Sequence, residues 1–153
     1  MLITSHHRVK VGDFGLVRAT NAEATSDMIV GTVSYLAPEQ VTGEEITPAS
    51  DVYSAGIVLF ELLTGTVPFS GDTPLAHATA RLDSDVPAPS SRISGVPKLV
   101  DALVATATAR DPRERFADAG EFLEALDDVC RELDLPDVTI PCLLYTSDAA
   151  DER

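Results

Sequence analysis

Cationic residues are scarce: the 153-residue chain carries 11 Lys and Arg against 25 Asp and Glu, a formal net charge of -14. Phosphate backbones are bound by clustered Lys and Arg, so this balance counts against nucleic acid as a partner. Docking on an anionic membrane surface is disfavoured for the same reason, and the acid excess reads as a solvated surface. Cysteine is nearly absent. Cys130 and Cys142 alone make neither a metal site nor a disulfide framework, which predicts a reducing, cytoplasmic setting. Long apolar runs are missing too. The longest, Ala55 to Leu63, is interrupted by Glu61 and reaches about half the length that spans a bilayer. His6, His7 and Arg8 arrive before any apolar run develops, so no signal peptide is expected at the start.

What is present suits one globular domain. Hydrophobic residues make up 44% and charged residues 24% of the chain, and a chain of this length can bury roughly two-thirds of its surface. Arg8 to Val11 alternates polar and apolar like a short strand and ends in Gly12-Asp13-Phe14-Gly15, a turn signal. From Ala19 to Val30 the composition is polar, which predicts a long loop. Ser50 to Thr64 reads as a buried helix closed by Gly65, with Ser50 or Asp51 available to cap it. Pro74 to Arg81 is a weaker helix, and Asp83 to Pro97 a connecting loop. Leu99, Val100, Leu103, Val104 and Ala107 recur at helical spacing, as do Phe122, Leu126, Val129 and Leu133. The expected fold is therefore mainly α, one short strand or hairpin followed by about four to five helices.

Several constellations carry chemistry. Val9-Lys10-Val11-Gly12-Asp13-Phe14-Gly15 puts a carboxylate at a strand end between glycines, where it can reach a phosphate-bound Mg²⁺ with little obstruction. Gly31-Thr32-Val33-Ser34-Tyr35-Leu36-Ala37-Pro38-Glu39 begins 18 positions after Asp13. Ser50-Asp51-Val52-Tyr53-Ser54-Ala55-Gly56 follows, and then Arg110-Asp111-Pro112-Arg113-Glu114-Arg115-Phe116. No carboxylate is placed to make a catalytic acid or base of His6, His7 or His77; the last reads as a surface or packing residue.

In this order and spacing the motifs resemble the protein-kinase family, from its magnesium-binding motif to its last helix, over nearly all of residues 1–141. The wording Asp13-Phe14-Gly15-Leu16-Val17-Arg18-Ala19 and Leu36-Ala37-Pro38-Glu39-Gln40 is similar to bacterial kinases of the eukaryotic (Hanks) type, many of them membrane-anchored with extracellular PASTA domains. The resemblance implies a partial kinase fold in which Asp13 chelates Mg²⁺ on ATP, Phe14 sets the position of Asp13, and Gly15 gives the backbone its freedom. It implies Ser/Thr specificity through Thr32, an ion pair of Glu39 with Arg115, and phosphorylation at Thr20, Thr25 or Ser26, with Thr25 preferred. Asp51 either accepts hydrogen bonds from the catalytic-loop backbone or caps its helix. Implied partners are protein substrates, ATP and a second kinase copy. The alternative is a pseudokinase or docking module that binds proteins without chemistry.

Phosphoryl transfer also needs a Gly-rich loop, a strand Lys paired with a helix Glu, and a catalytic Asp with a metal-binding Asn. None of these motifs stands in the chain, and Met1-Leu2-Ile3 resembles the residues just past that Asn. The chain is thus expected to be a C-terminal piece of a kinase domain, inactive by itself. Residues 142–153 match no element of the pattern, and Cys142 to Glu152 resembles one reading frame of a transposase adapter used in sequencing libraries. Such a segment is expected to be foreign to the fold.

Overall fold

The computed structural model describes residues 2–3, 9–10 and 31–137. Two compact units divide the chain, one from residues 1–22 with 136–153 and the other from residues 23–135. In the first, strands β1 (Leu2–Ile3) and β2 (Val9–Lys10) pair antiparallel, with Leu2 opposite Lys10 and Ile3 opposite Val9. Within the alternating stretch, Val9–Lys10 is therefore the second strand of a pair. The second unit holds α1 (Pro38–Thr42), α2 (Pro48–Thr64), α3 (Pro74–Asp83), α4 (Lys98–Ala107) and α5 (Ala119–Glu132). Single 3₁₀ turns occupy Pro89–Ser91 and Pro112–Glu114.

Local chemistry explains where these helices begin. Pro38, Pro48 and Pro74 each stand at the first helical position, where the missing N–H has no cost and φ is already set. α2 starts at Pro48, earlier than the apolar pattern implied. Its cap is Thr47, whose N–H donates to Ser50 Oγ over 3.2 Å. Ser50 is thus not the cap itself but its capping-box partner, and Asp51 takes no part. Asp51 lies exposed in the first turn, where a negative charge suits the helix dipole. Thr73 caps α3 by accepting from the Ala76 N–H at 3.1 Å, and Asp118 caps α5 by accepting from Glu121 at 3.0 Å. Gly65 closes α2 at φ 77°, a left-handed conformation that side chains resist.

The core surrounds α2. Its Tyr53, Ile57 and Phe60 are buried together with Ala37, Phe69, Val86 and Val104. Gly56 lets α4 come close: a Cβ there would lie 2.6 Å from Thr108 Cγ2 and 3.0 Å from Ala107 Cβ. No residue of α5 is fully buried. Phe122, Leu126, Val129 and Leu133 form its inner face but stay half-buried, and Phe122 stacks on Phe116 with ring centroids 5.4 Å apart. On α2 itself, Val58 and Leu62 remain exposed.

Candidate functional site

The segment from Gly31 to Glu39 makes a helical turn at residues 31–33, a bend at Ser34 and Tyr35, and then enters α1. It is held from two sides. From α2, Ser54 Oγ donates to the Tyr35 carbonyl at 2.7 Å, and Tyr35 OH donates to Glu61 Oε2 at 2.5 Å. That hydrogen bond, followed by burial and the Glu61 charge, pushes the Tyr35 phenol pKa up. From α3, Arg81 Nη1 donates to the carbonyls of Ser34 (3.2 Å) and Leu36 (2.5 Å), while His77 Nε2 lies 3.3 Å from Ser34 Oγ. Burial, then the nearby Arg81 charge, lowers the His77 pKa.

At the end of the segment sits a fully desolvated ion pair. Arg115 Nη1 donates to Glu39 Oε1 at 2.7 Å and Nη2 to Oε2 at 2.9 Å. The two side chains are 0% and 2% exposed. Ser50 Oγ adds a third bond to Glu39 Oε1 at 2.7 Å. The remaining Arg115 donors reach the carbonyls of Ala49 (3.0 Å), Ala109 (2.6 Å) and Arg110 (3.1 Å). Its guanidinium lies 4.9 Å from the centre of the Tyr53 ring, whose phenol burial pushes up to about 12. Burial alone would raise the Glu39 pKa; the bonds from Arg115 and Ser50 outweigh it and hold the carboxyl below its ordinary value. One side chain thus ties together α1, the start of α2 and the stretch leading into Pro112–Glu114.

A model of the protein kinase domain matches residues 1–126. The chain belongs to the protein kinase family. It is 48% identical over 143 residues to serine/threonine-protein kinase PknL of Mycobacterium tuberculosis, covering 92% of this chain and 36% of that protein. It is 43% identical over 126 residues to the probable serine/threonine-protein kinase PknB of Bifidobacterium longum, covering 80% of this chain and 18% of that one. The PknB of Mycolicibacterium smegmatis is 42% identical over the same length. The chain therefore spans about a third of PknL and about a fifth of the PknB proteins. Protein kinases as a family use ATP and Mg²⁺. The helical unit described above is the corresponding part of a kinase C-lobe.

The residues singled out in the kinase sequence fall into three groups. Glu39 and Arg115 are brought together, 76 positions apart in sequence. Thr32 is exposed on the turn that opens the segment, and Asp51 is exposed on α2, its carboxylate making no hydrogen bond to another described residue. Asp13, Phe14, Gly15, Thr20, Thr25 and Ser26 lie outside the described residues. Among the described residues no group of three or more His, Cys, Asp and Glu could hold a metal ion, and no helix is long and apolar enough to cross a membrane.

Sequence reading missed the partners of three contributors. It presents Ser50 only as a candidate cap, His77 as a surface or packing residue, and Arg81 only as the end of a weak helix; the buried His77 ring fits the packing role. Ser50 sits inside a motif but beside Asp51, the residue with the more familiar chemistry. His77 and Arg81 are buried, whereas a His and an Arg four positions apart on a short helix ordinarily face water. Nothing in their spacing marked them.

Proposed function

We propose that residues 1–141 are the substrate-side part of a serine/threonine protein kinase domain, and that residues 142–153 are foreign read-through. The complete enzyme would transfer the ATP γ-phosphoryl group to Ser or Thr hydroxyls of protein substrates. The observation that carries this reading is the Gly31–Glu39 segment, braced by α2 and α3 and anchored by the Glu39–Arg115 pair. Phosphoryl transfer depends mainly on positioning and electrostatics, so a rigid backbone surface beside the acceptor is the part of catalysis this region can supply. Thr32, exposed at the start of that surface, is assigned to shaping the acceptor site. Asp13 is assigned to Mg²⁺, which would neutralise charge on the ATP phosphates. Thr20, Thr25 and Ser26 are assigned as activation-loop phosphosites, with Phe14 and Gly15 setting the position of Asp13, and Asp51 receiving hydrogen bonds from the catalytic loop. The net charge of -12 left when residues 142–153, with their three acids and one Arg, are set aside favours basic acceptors over nucleic acid. A second kinase copy as partner, a cytoplasmic location and a membrane anchor in the parent protein belong to the same proposal.

The test is radiolabelled phosphate transfer from ATP to myelin basic protein in the presence of Mg²⁺, using the intact protein that contains this segment. We expect transfer that Asp13→Ala abolishes and Thr32→Ala reduces by at least about tenfold, the usual scale for loss of a positioned catalytic group. The 153-residue chain alone should transfer nothing. An intact protein that folds and binds ATP yet transfers no phosphate would overturn the reading in favour of a pseudokinase.

A further inference from the structure

Arg81 heads the fully buried side chains by volume. Among the described residues it forms no ion pair, and its donors end on backbone carbonyls instead. Two of these are local to α3, Ala78 at 3.0 Å and His77 at 3.2 Å. The other two, Ser34 and Leu36, lie 47 and 45 positions earlier. The guanidinium also sits 5.7 Å from the centre of the Phe69 ring. An aliphatic side chain would pack α3 against this core without burying a charge, so packing alone gives no reason for an arginine.

The carbonyl pattern supplies one. Ser34 and Leu36 turn their carbonyls to Arg81 on α3, and Tyr35, between them, turns its own to Ser54 Oγ on α2 at 2.7 Å. Successive peptide groups are therefore pinned in alternate directions by two helices. His77 adds its ring at 3.3 Å from Ser34 Oγ. The planar guanidinium carries five N–H donors and reaches the carbonyls of Ser34, Leu36, His77 and Ala78 at once; a neutral amide has only two donors.

We propose that Arg81, seconded by His77, is a positioning residue that sets the backbone of Ser34–Leu36 for acceptor binding, so that α3 tunes affinity for the protein substrate without touching the reacting atoms. The proposal rests on the kinase reading given above. It separates the two substrates of the reaction, because ATP has no contact with this segment in that reading.

The experiment uses the intact protein with myelin basic protein as acceptor, comparing wild type with Arg81→Met, Arg81→Lys and His77→Gln. Arg81→Met should raise the KM for the acceptor by about tenfold, within the range that a misplacement of about 1 Å produces. The KM for ATP should stay within about twofold, and Arg81→Lys should recover part of the loss. An unchanged acceptor KM in a folded Arg81→Met protein overturns the proposal. So does a fall in kcat that merely follows the folded fraction, with both KM values constant. Amide hydrogen exchange gives a second readout, independent of turnover. Residues 33–37 should exchange about tenfold faster in Arg81→Met than in wild type, with residues 99–107 of α4 unmoved. If the wild type transfers no phosphate, the kinase reading fails, and equal exchange at residues 33–37 would then overturn the clasp as well. Should Arg81→Met not fold, Arg81→Lys carries both readouts.

Discussion

Arg115 grips Glu39 with two parallel hydrogen bonds of 2.7 and 2.9 Å, linking positions 76 residues apart inside a site that water does not reach. Removing one partner leaves the other charged, buried and uncompensated. Glu39→Leu or Arg115→Met alone should therefore destabilise the chain by about 3–5 kcal/mol. The double variant should lose less than the two single losses added together, because no orphaned charge remains. Urea unfolding of the four proteins measures this, and strictly additive losses would show that the pair is not coupled.

Acid should weaken the fold in two stages. A group whose pKa is lowered by folding binds fewer protons folded than unfolded, so stability rises with pH across its titration. Glu39 and Asp101 are lowered from 4.5 and 3.8. For Asp101, burial pushes upward, but the Ser90 hydroxyl at 2.5 Å and N–H at 2.9 Å outweigh it. Their contribution is present above those ordinary values and is lost as pH falls through the lower folded ones. His77, lowered from 6.5 by burial and then Arg81, resists the proton that the unfolded chain accepts, so its penalty starts at higher pH. The unfolding midpoint should be flat between about pH 7 and 9 and decline from about 6.5 downward. In His77→Gln the decline should begin only near the carboxylate range. An unchanged onset in that variant would refute the assignment to His77.

Two glycines should respond differently to alanine. At Gly56 a Cβ meets Thr108 Cγ2 at 2.6 Å, so Gly56→Ala should cost about 1–3 kcal/mol by overpacking, despite the better helix propensity of Ala. Thr108→Ser removes that methyl while keeping a hydroxyl for the 2.7 Å bond to the Val104 carbonyl, and should relieve much of the loss. At Gly65 nothing lies within 4 Å, but φ is 77°, so Gly65→Ala should cost about 1–2 kcal/mol through backbone strain that Thr108→Ser cannot relieve. Thermal melts of the single and double variants distinguish the two mechanisms. Equal response of both glycines to Thr108→Ser would contradict them.

Much of the helical unit was legible in the sequence. The apolar spacing through α2, α4 and α5 predicted all three helices, and Gly65 marked the end of α2 where its backbone turns left-handed. α3 was visible only weakly, because its two buried residues are His77 and Arg81 and no apolar stripe announces it. α1 was not visible at all. Five residues starting at a proline carry no helical period. The N-terminus of α2 was placed too late because apolar periodicity starts at Val52, whereas the chain turns helical at Pro48 under the cap of Thr47.

Motif order in the sequence was enough to determine the family, since each motif is a short run of residues whose types and spacing suffice for recognition. Sequence alone also determined where most helices lie, because 3.6-residue periodicity is a local property. Tertiary structure decided what those helices do to one another. It set the third bond to Glu39 from Ser50, the 0% exposure of Arg81 and the alternate pinning of Ser34, Tyr35 and Leu36. Each joins groups 11 to 47 positions apart. Whether a polar side chain is a solvated ornament or a buried fastener depends on which carbonyls and carboxylates the packing brings to it.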